Sequence, residues 1–161
     1  MDRRGTLVAA DREQGKLDEQ LRLGERGRLA SDALTLRTIA ADLAEPCAEL
    51  EALAPFDGVL LDVPCTGLGN LARHPEIRWH RRYDDIAAAA AVQARLLANL
   101  WPLTRQGGRL VYAVCSAEPE EGPAVVRAAL QGAPLELTAE RTWTPEDDGT
   151  EGFYVAALTR R

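Results

Sequence analysis

Phe56-Asp-Gly-Val-Leu-Leu-Asp-Val-Pro-Cys-Thr-Gly-Leu-Gly69 places four apolar residues, Val59, Leu60, Leu61 and Val63, around Asp62. It then breaks into Pro64, Cys65 and a glycine-bearing turn. A short apolar run that stops in turn residues reads as a buried strand emptying into a loop. In an open α/β sheet, ligands bind just beyond the carboxyl ends of the strands. Asp62 and Cys65 are therefore expected on a functional rim. A second cysteine, Cys115, closes a similar run, Arg109-Leu-Val-Tyr-Ala-Val-Cys115.

Upstream of this stretch, residues 5–11 and 34–42 read as strands, each ending in an acid. A helix is expected between them, from residue 14 to about 23, interrupted by Gly24 and Gly27. Residues 45–53 read as a short helix with Pro46 in its first turn. Downstream, a long loop covers residues 63–83, and Asp84 and Asp85 open a helix reaching about residue 103. Gln106-Gly-Gly108 reads as a turn, residues 118–131 as a helix bent at Pro123, and 135–138 as a weak strand. A polar loop over 140–151 then leads to a last strand over 153–158. Such alternation predicts an α/β fold in one domain, a mostly parallel sheet closed by a C-terminal antiparallel hairpin.

The 161 residues suffice for one domain with a real core, and 46% hydrophobic content marks a globular chain. A net charge of −6 excludes RNA binding by a general positive field, so contact with nucleic acid must come from a local patch. The longest candidate for a membrane span, residues 86–100, carries Gln93, Arg95 and Asn99, so no span is expected. Met1-Asp-Arg-Arg-Gly lacks a following apolar signal region, and the expected location is the cytoplasm. Three cysteines without a CxxC, and two histidines without a ligand cluster, point away from a disulfide framework and from a metal site.

Cys115 is either a nucleophile or a small buried hydrophobe. A helix opened by Pro119 would favour its thiolate. Cys65 has the same two readings, but Asp62 stands three residues ahead of it and Pro64 stiffens the backbone between. Asp11 and Asp42 suit either ribose hydroxyls or turn caps. Arg73-His-Pro-Glu-Ile-Arg-Trp-His-Arg-Arg82 is the one basic patch. Its Arg73, His74, Arg78, Arg81 and Arg82 suit phosphate contacts, and Trp79 suits stacking on a base. The alternative is a solvated loop anchored by Ile77 and Trp79.

Four segments together carry a resemblance: Asp62-Val-Pro-Cys-Thr-Gly-Leu-Gly69, Arg73-His-Pro-Glu-Ile-Arg-Trp79, Leu110-Val-Tyr-Ala-Val-Cys-Ser116 with Pro119-Glu-Glu121, and Asp148-Gly-Thr-Glu-Gly-Phe-Tyr154. They resemble the RNA cytosine-C5 methyltransferases and look most like the bacterial RsmB (Sun/Fmu) branch. The likeness covers nearly the whole chain. Val114 departs from it, standing where the family usually has Thr.

The resemblance implies a Rossmann-like S-adenosylmethionine-dependent methyltransferase fold. It implies that Cys115 attacks cytosine C6, and that Cys65 assists loss of the C5 proton and release of the enzyme. Asp62 would bond the cytosine edge near the methionine end of the cofactor. Asp11 would bind its ribose, and Asp42 would lie near adenine. The implied partner is RNA, small-subunit ribosomal RNA first and tRNA as the alternative acceptor. A degenerate, non-enzymatic fold used for RNA binding or protein interaction is the other reading. The family's turn Asp-x-Cys-x-x-Pro-Gly-Gly-Lys and its N-terminal RNA-binding region have no match here. The resemblance therefore implies a single partial catalytic domain over residues 1–161, lacking the first strand, with weak or no S-adenosylmethionine binding by this chain alone.

Overall fold

Two parallel strands and a helix make up most of the first of two units, Met1–Leu53 and Ala54–Arg161, in the computed structural model. It describes residues 4–27 and 33–161, so the opening stretch at 1–3, read above as lacking a signal region, lies outside it.

In the first unit β1 (Gly5–Asp11) pairs in parallel with β2 (Leu34–Ala40), with Asp11 opposite Ala40. The helix α1 (Gln14–Arg26) buries Leu17 completely. It runs through Gly24 and does not break there. Gly24 is a packing contact: a Cβ at that position would lie 2.9 Å from Leu36 Cδ2. β2 stops at Ala40, and α2 (Ala48–Glu51) is shorter than expected, so Pro46 lies outside it.

The second unit holds a four-stranded sheet in the order β3-β4-β6-β5. β3 (Phe56–Asp62) lies parallel to β4 (Thr104–Val114), with Asp62 opposite Ala113. β6 (Phe153–Arg160) runs antiparallel between β4 and β5 (Leu135–Trp143). Leu110, Tyr112, Val114, Tyr154, Ala156 and Leu158 form the centre of its core. β3 was expected to be buried throughout. Leu61 and Val63 are buried, but Leu60 is 71% exposed. The strand sits at the edge of its sheet, with a ladder on one side, and only one of its faces packs.

Other boundaries moved for local reasons. The turn expected at 106–108 is an irregularity inside β4, where Gly107 takes φ +70° and the register with β3 shifts. α5 (Pro123–Gly132) starts at Pro123, because proline suits a first helical turn and cannot sit further in. β5 continues to Trp143, and α6 (Pro145–Asp148) interrupts the expected polar loop. A short helix α3 (Ile77–His80) precedes α4 (Tyr83–Leu100). The segment Tyr83–Leu103 has the length and apolar composition of a short membrane span, contrary to the expectation above. Its buried face holds Gln93, Leu97 and Leu100, and Gln93 hydrogen-bonds the Pro64 carbonyl at 2.9 Å. That is the behaviour of a helix packed on a protein core.

Candidate active site

β3 and β4 are parallel neighbours, so their carboxyl ends share one edge of the sheet. The ladder extends by one bond, Val63 N–H to Ala113 O at 3.1 Å. Cys65 follows β3 by three residues and Cys115 follows β4 directly, which brings the two thiols together. Their sulfurs lie 2.9 Å apart, and Cys65 Sγ is 3.6 Å from the Cys115 carbonyl oxygen. Both cysteines are free and half-buried, so neither is sealed in the core. Asp62 is exposed on the same rim.

The pair divides one proton. The hydrogen bond from Cys65 is the largest influence on Cys115 and brings its thiol down to about 7, with a smaller contribution from the Asn70 side chain. Burial and the nearby Asp62 charge act in the opposite sense. Cys65 is pushed up, first by that hydrogen bond and then by burial. The helix N-terminus expected to activate Cys115 is not there, since α5 begins at Pro123 and not Pro119. A neighbouring thiol does that work instead. Substituting Cys65 by Ala is expected to move the midpoint of Cys115 alkylation from about 7 toward the ordinary 9.0. At pH 7 that removes roughly 98% of the thiolate, partly offset by the greater nucleophilicity of a more basic thiol, for a net loss of roughly fivefold to tenfold. Iodoacetamide rates against pH measure this directly; an unmoved midpoint would show that the sulfur contact does not set the titration.

The loop that carries Cys65 is held by close approach. Gly67 takes φ +76° and leads into a 3-10 turn at Leu68–Asn70. A Cβ on Gly69 would collide with the carbonyl oxygens of Gly152 and Cys115. The Gly152 N–H donates to Gly69 O at 2.9 Å, so the Asp148–Tyr154 motif is a brace for this loop. Sequence reading missed Asn70, Thr66 and Gln93 as site residues. It quoted Glu121 and Gly152 within motifs but gave them no role.

The basic segment is only partly available to a ligand. Arg81 Nε donates to the Thr66 carbonyl at 2.8 Å, Arg73 pairs with Glu151 at 2.5 Å, and His74 lies 3.1 Å from Glu76. The Arg82 amide donates to Asp85 at the start of α4, leaving its side-chain charge outside that cap. Trp79 is 83% exposed and does not anchor the loop; Ile77 does, against Gly67. Tyr83, 81% exposed and four residues on, is a second aromatic face not anticipated from sequence.

In the first unit, Asp11 and Asp42 lie at the carboxyl edge of β1 and β2. Asp11 Oδ1 accepts the Glu13 amide at 2.8 Å and Asp42 Oδ1 the Ala44 amide at 3.0 Å. Each is thus a turn cap; the other oxygen of Asp11 faces Lys16 Nζ at 3.9 Å, and the other oxygen of Asp42 lies outside its cap bond. Among the described residues no group of three or more His, Cys, Asp or Glu is placed to hold a metal ion.

A family model described as 16S rRNA methyltransferase RsmB/F matches residues 1–159. The chain belongs to this family. A relative from Salmonella arizonae, Ribosomal RNA small subunit methyltransferase B, is 43% identical over 115 residues, which cover 66% of this chain and 27% of the relative. Its counterpart in Vibrio cholerae is 41% identical over 113 residues, covering 66% and 26%. This RsmB/F chain thus spans about a quarter of the length of these relatives. A solved methyltransferase homologue from Pyrococcus horikoshii superposes with a TM-score of 0.79 at 29% identity, covering 100% of this chain and 55% of that one. NSun6 of the same organism, crystallised with SFG, gives a TM-score of 0.83 at 22% identity over 99% of this chain and 42% of that one. The fold is the Rossmann-like, S-adenosylmethionine-dependent methyltransferase α/β fold.

Proposed function

We propose that this chain carries the catalytic chemistry of an S-adenosylmethionine-dependent RNA methyltransferase that modifies C5 of cytosine in small-subunit ribosomal RNA, in the cytoplasm. The contact between Cys65 and Cys115, with Cys115 as the more acidic thiol, carries this reading. Cytosine C5 is a poor nucleophile. The Cys115 thiolate adds to C6, breaking the C5–C6 double bond and making C5 electron-rich. S-adenosylmethionine supplies the methyl group. Asp11 and Asp42 suit its ribose and adenine as carboxylates that accept from hydroxyl or amino donors, Asp11 in exchange for its long contact with Lys16.

Asp62 receives the cytosine edge. Its charge opposes the Cys115 thiolate; a hydrogen bond from the base would blunt that opposition once substrate is seated. Cys65 then changes role. The largest cause of its raised pKa is its bond to Cys115. Once Cys115 is a thioether that cause is gone, and Cys65 is freer to take part in removing the C5 proton. Loss of that proton lets the C6–S bond break and returns Cys115 as a thiolate. The base must leave its stack to reach the sulfurs. Arg78, Arg82, Trp79 and Tyr83 form the exposed face that suits single-stranded RNA.

The test uses small-subunit ribosomal RNA, methyl-labelled S-adenosylmethionine and a form of the protein that includes the family's Gly-rich cofactor turn. Label is expected in 5-methylcytidine alone after digestion to nucleosides. Label in another nucleoside would overturn the assignment.

A further inference from the structure

Glu121 is completely buried and has no cation partner among the described residues. Isolating a carboxylate in this way is costly unless its oxygens are satisfied. Here they are. Oε1 accepts the Thr66 amide at 2.7 Å and Gln93 Nε2 at 3.4 Å. Oε2 accepts the hydroxyls of Thr66 at 2.5 Å and Ser116 at 2.8 Å. Thr66 and Ser116 are themselves buried, and each is the residue immediately after one of the two cysteines. One carboxylate therefore holds both cysteine-bearing turns. The rest of the cluster stiffens the same joint: Tyr112 donates to the Glu121 carbonyl at 2.6 Å and lies 3.1 Å from Gln93 Oε1, and Gln93 also bonds the Pro64 carbonyl at 2.9 Å.

We infer that Glu121 is a positioning residue that sets the contact between the two sulfurs, and through it the share of Cys115 present as thiolate. This rests on the reading of Cys115 as the nucleophile. Apolar packing would hold two loops together equally well. What apolar packing lacks is direction: a carboxylate fixes the orientation of two hydroxyls and an amide, and so the angle at which each thiol leaves its turn.

The experiment measures the pH profile of iodoacetamide alkylation at Cys115 in the 161-residue chain, by peptide mass spectrometry. Glu121→Gln keeps the volume but sets an NH2 group where an oxygen accepted hydroxyls. It is expected to raise the Cys115 midpoint by about one pH unit while the far-UV spectrum is retained. In a Cys65→Ala background the same substitution should cause no further shift, which a general loosening of the fold would not reproduce. An unchanged midpoint, or an equal shift with and without Cys65, overturns the inference. Should Glu121→Gln fail to fold, Thr66→Val decides, since it removes the hydroxyl arm and keeps the amide arm. A raised midpoint supports the role of Glu121, and an unmoved one refutes it. If Cys115 in the unaltered chain titrates as an ordinary thiol, the nucleophile reading itself falls, a result distinct from failure of the Glu121 variants.

Discussion

Replacing Cys115 with alanine is expected to abolish methylation and the covalent complex on RNA carrying 5-fluorocytosine, whereas Cys65→Ala should let covalent complexes build up on ordinary RNA. The difference follows from the order of events. Fluorine at C5 cannot leave as a proton, so an enzyme that has added to C6 and methylated C5 stays attached. Without the Cys115 sulfur no bond to C6 forms, and the loss of rate should be at least on the order of 10^3-fold. Without Cys65 the first bond can form, although less readily near neutral pH because Cys115 loses its proton donor. Resolution is then slow on ordinary RNA, so complexes should persist there, where the unaltered protein releases its product. Denaturing gel mobility of labelled RNA reads both outcomes, with the protein in a form that carries the cofactor turn. Methylation surviving in Cys115→Ala, or complexes linked through Cys65, would reverse the roles assigned to the two sulfurs.

Alanine at position 69 is expected to lower the melting temperature by roughly 6–12 °C. The added Cβ would meet the carbonyl oxygens of Gly152 and Cys115, with Gly152 C at 2.8 Å. Backbone on both sides cannot step aside as a flexible side chain can. Overpacking costs about 1–3 kcal/mol, and the upper end applies here. At about 2–4 °C per kcal/mol for a chain of this size, that gives the stated range. Gly15→Ala is the matched control, since nothing lies within 4 Å of a Cβ there. In a helix that change should be neutral or slightly stabilising. Thermal unfolding followed by circular dichroism compares the two. A Gly69→Ala protein that melts with the unaltered chain would mean that the brace between Gly69 and Gly152 yields easily.

The parts of the site visible in sequence were those built from neighbours along the chain. Apolar β3 running into Pro64 and Cys65 announced a strand end, and the same pattern at Cys115 announced another. Parallel pairing then had only one edge on which to place both. The motifs assigned roles to the cysteines, but the division of the proton between them came from a distance no spacing encodes. Glu121 was out of reach for the same reason: it meets Thr66 from 55 residues away. Gly69 was read as part of a turn and Gly152 had no role, and only the packing shows that each leaves room for the other. Leu60 was misread because an apolar residue in a strand does not reveal whether its face of the sheet will be covered. The length of β5 was missed because Glu140 and Arg141 look like loop, although both lie opposite β6 in register.

The middle position of β6 has a consequence for how the protein is made. β4 and β5 are both synthesised earlier, yet each offers its inner edge to a partner that the ribosome has not yet delivered. Closure of this sheet must wait until β6 has emerged, so the growing polypeptide carries two unpaired edges until then. A message broken before codon 153 would leave both edges open and yield an aggregation-prone fragment rather than a smaller folded protein.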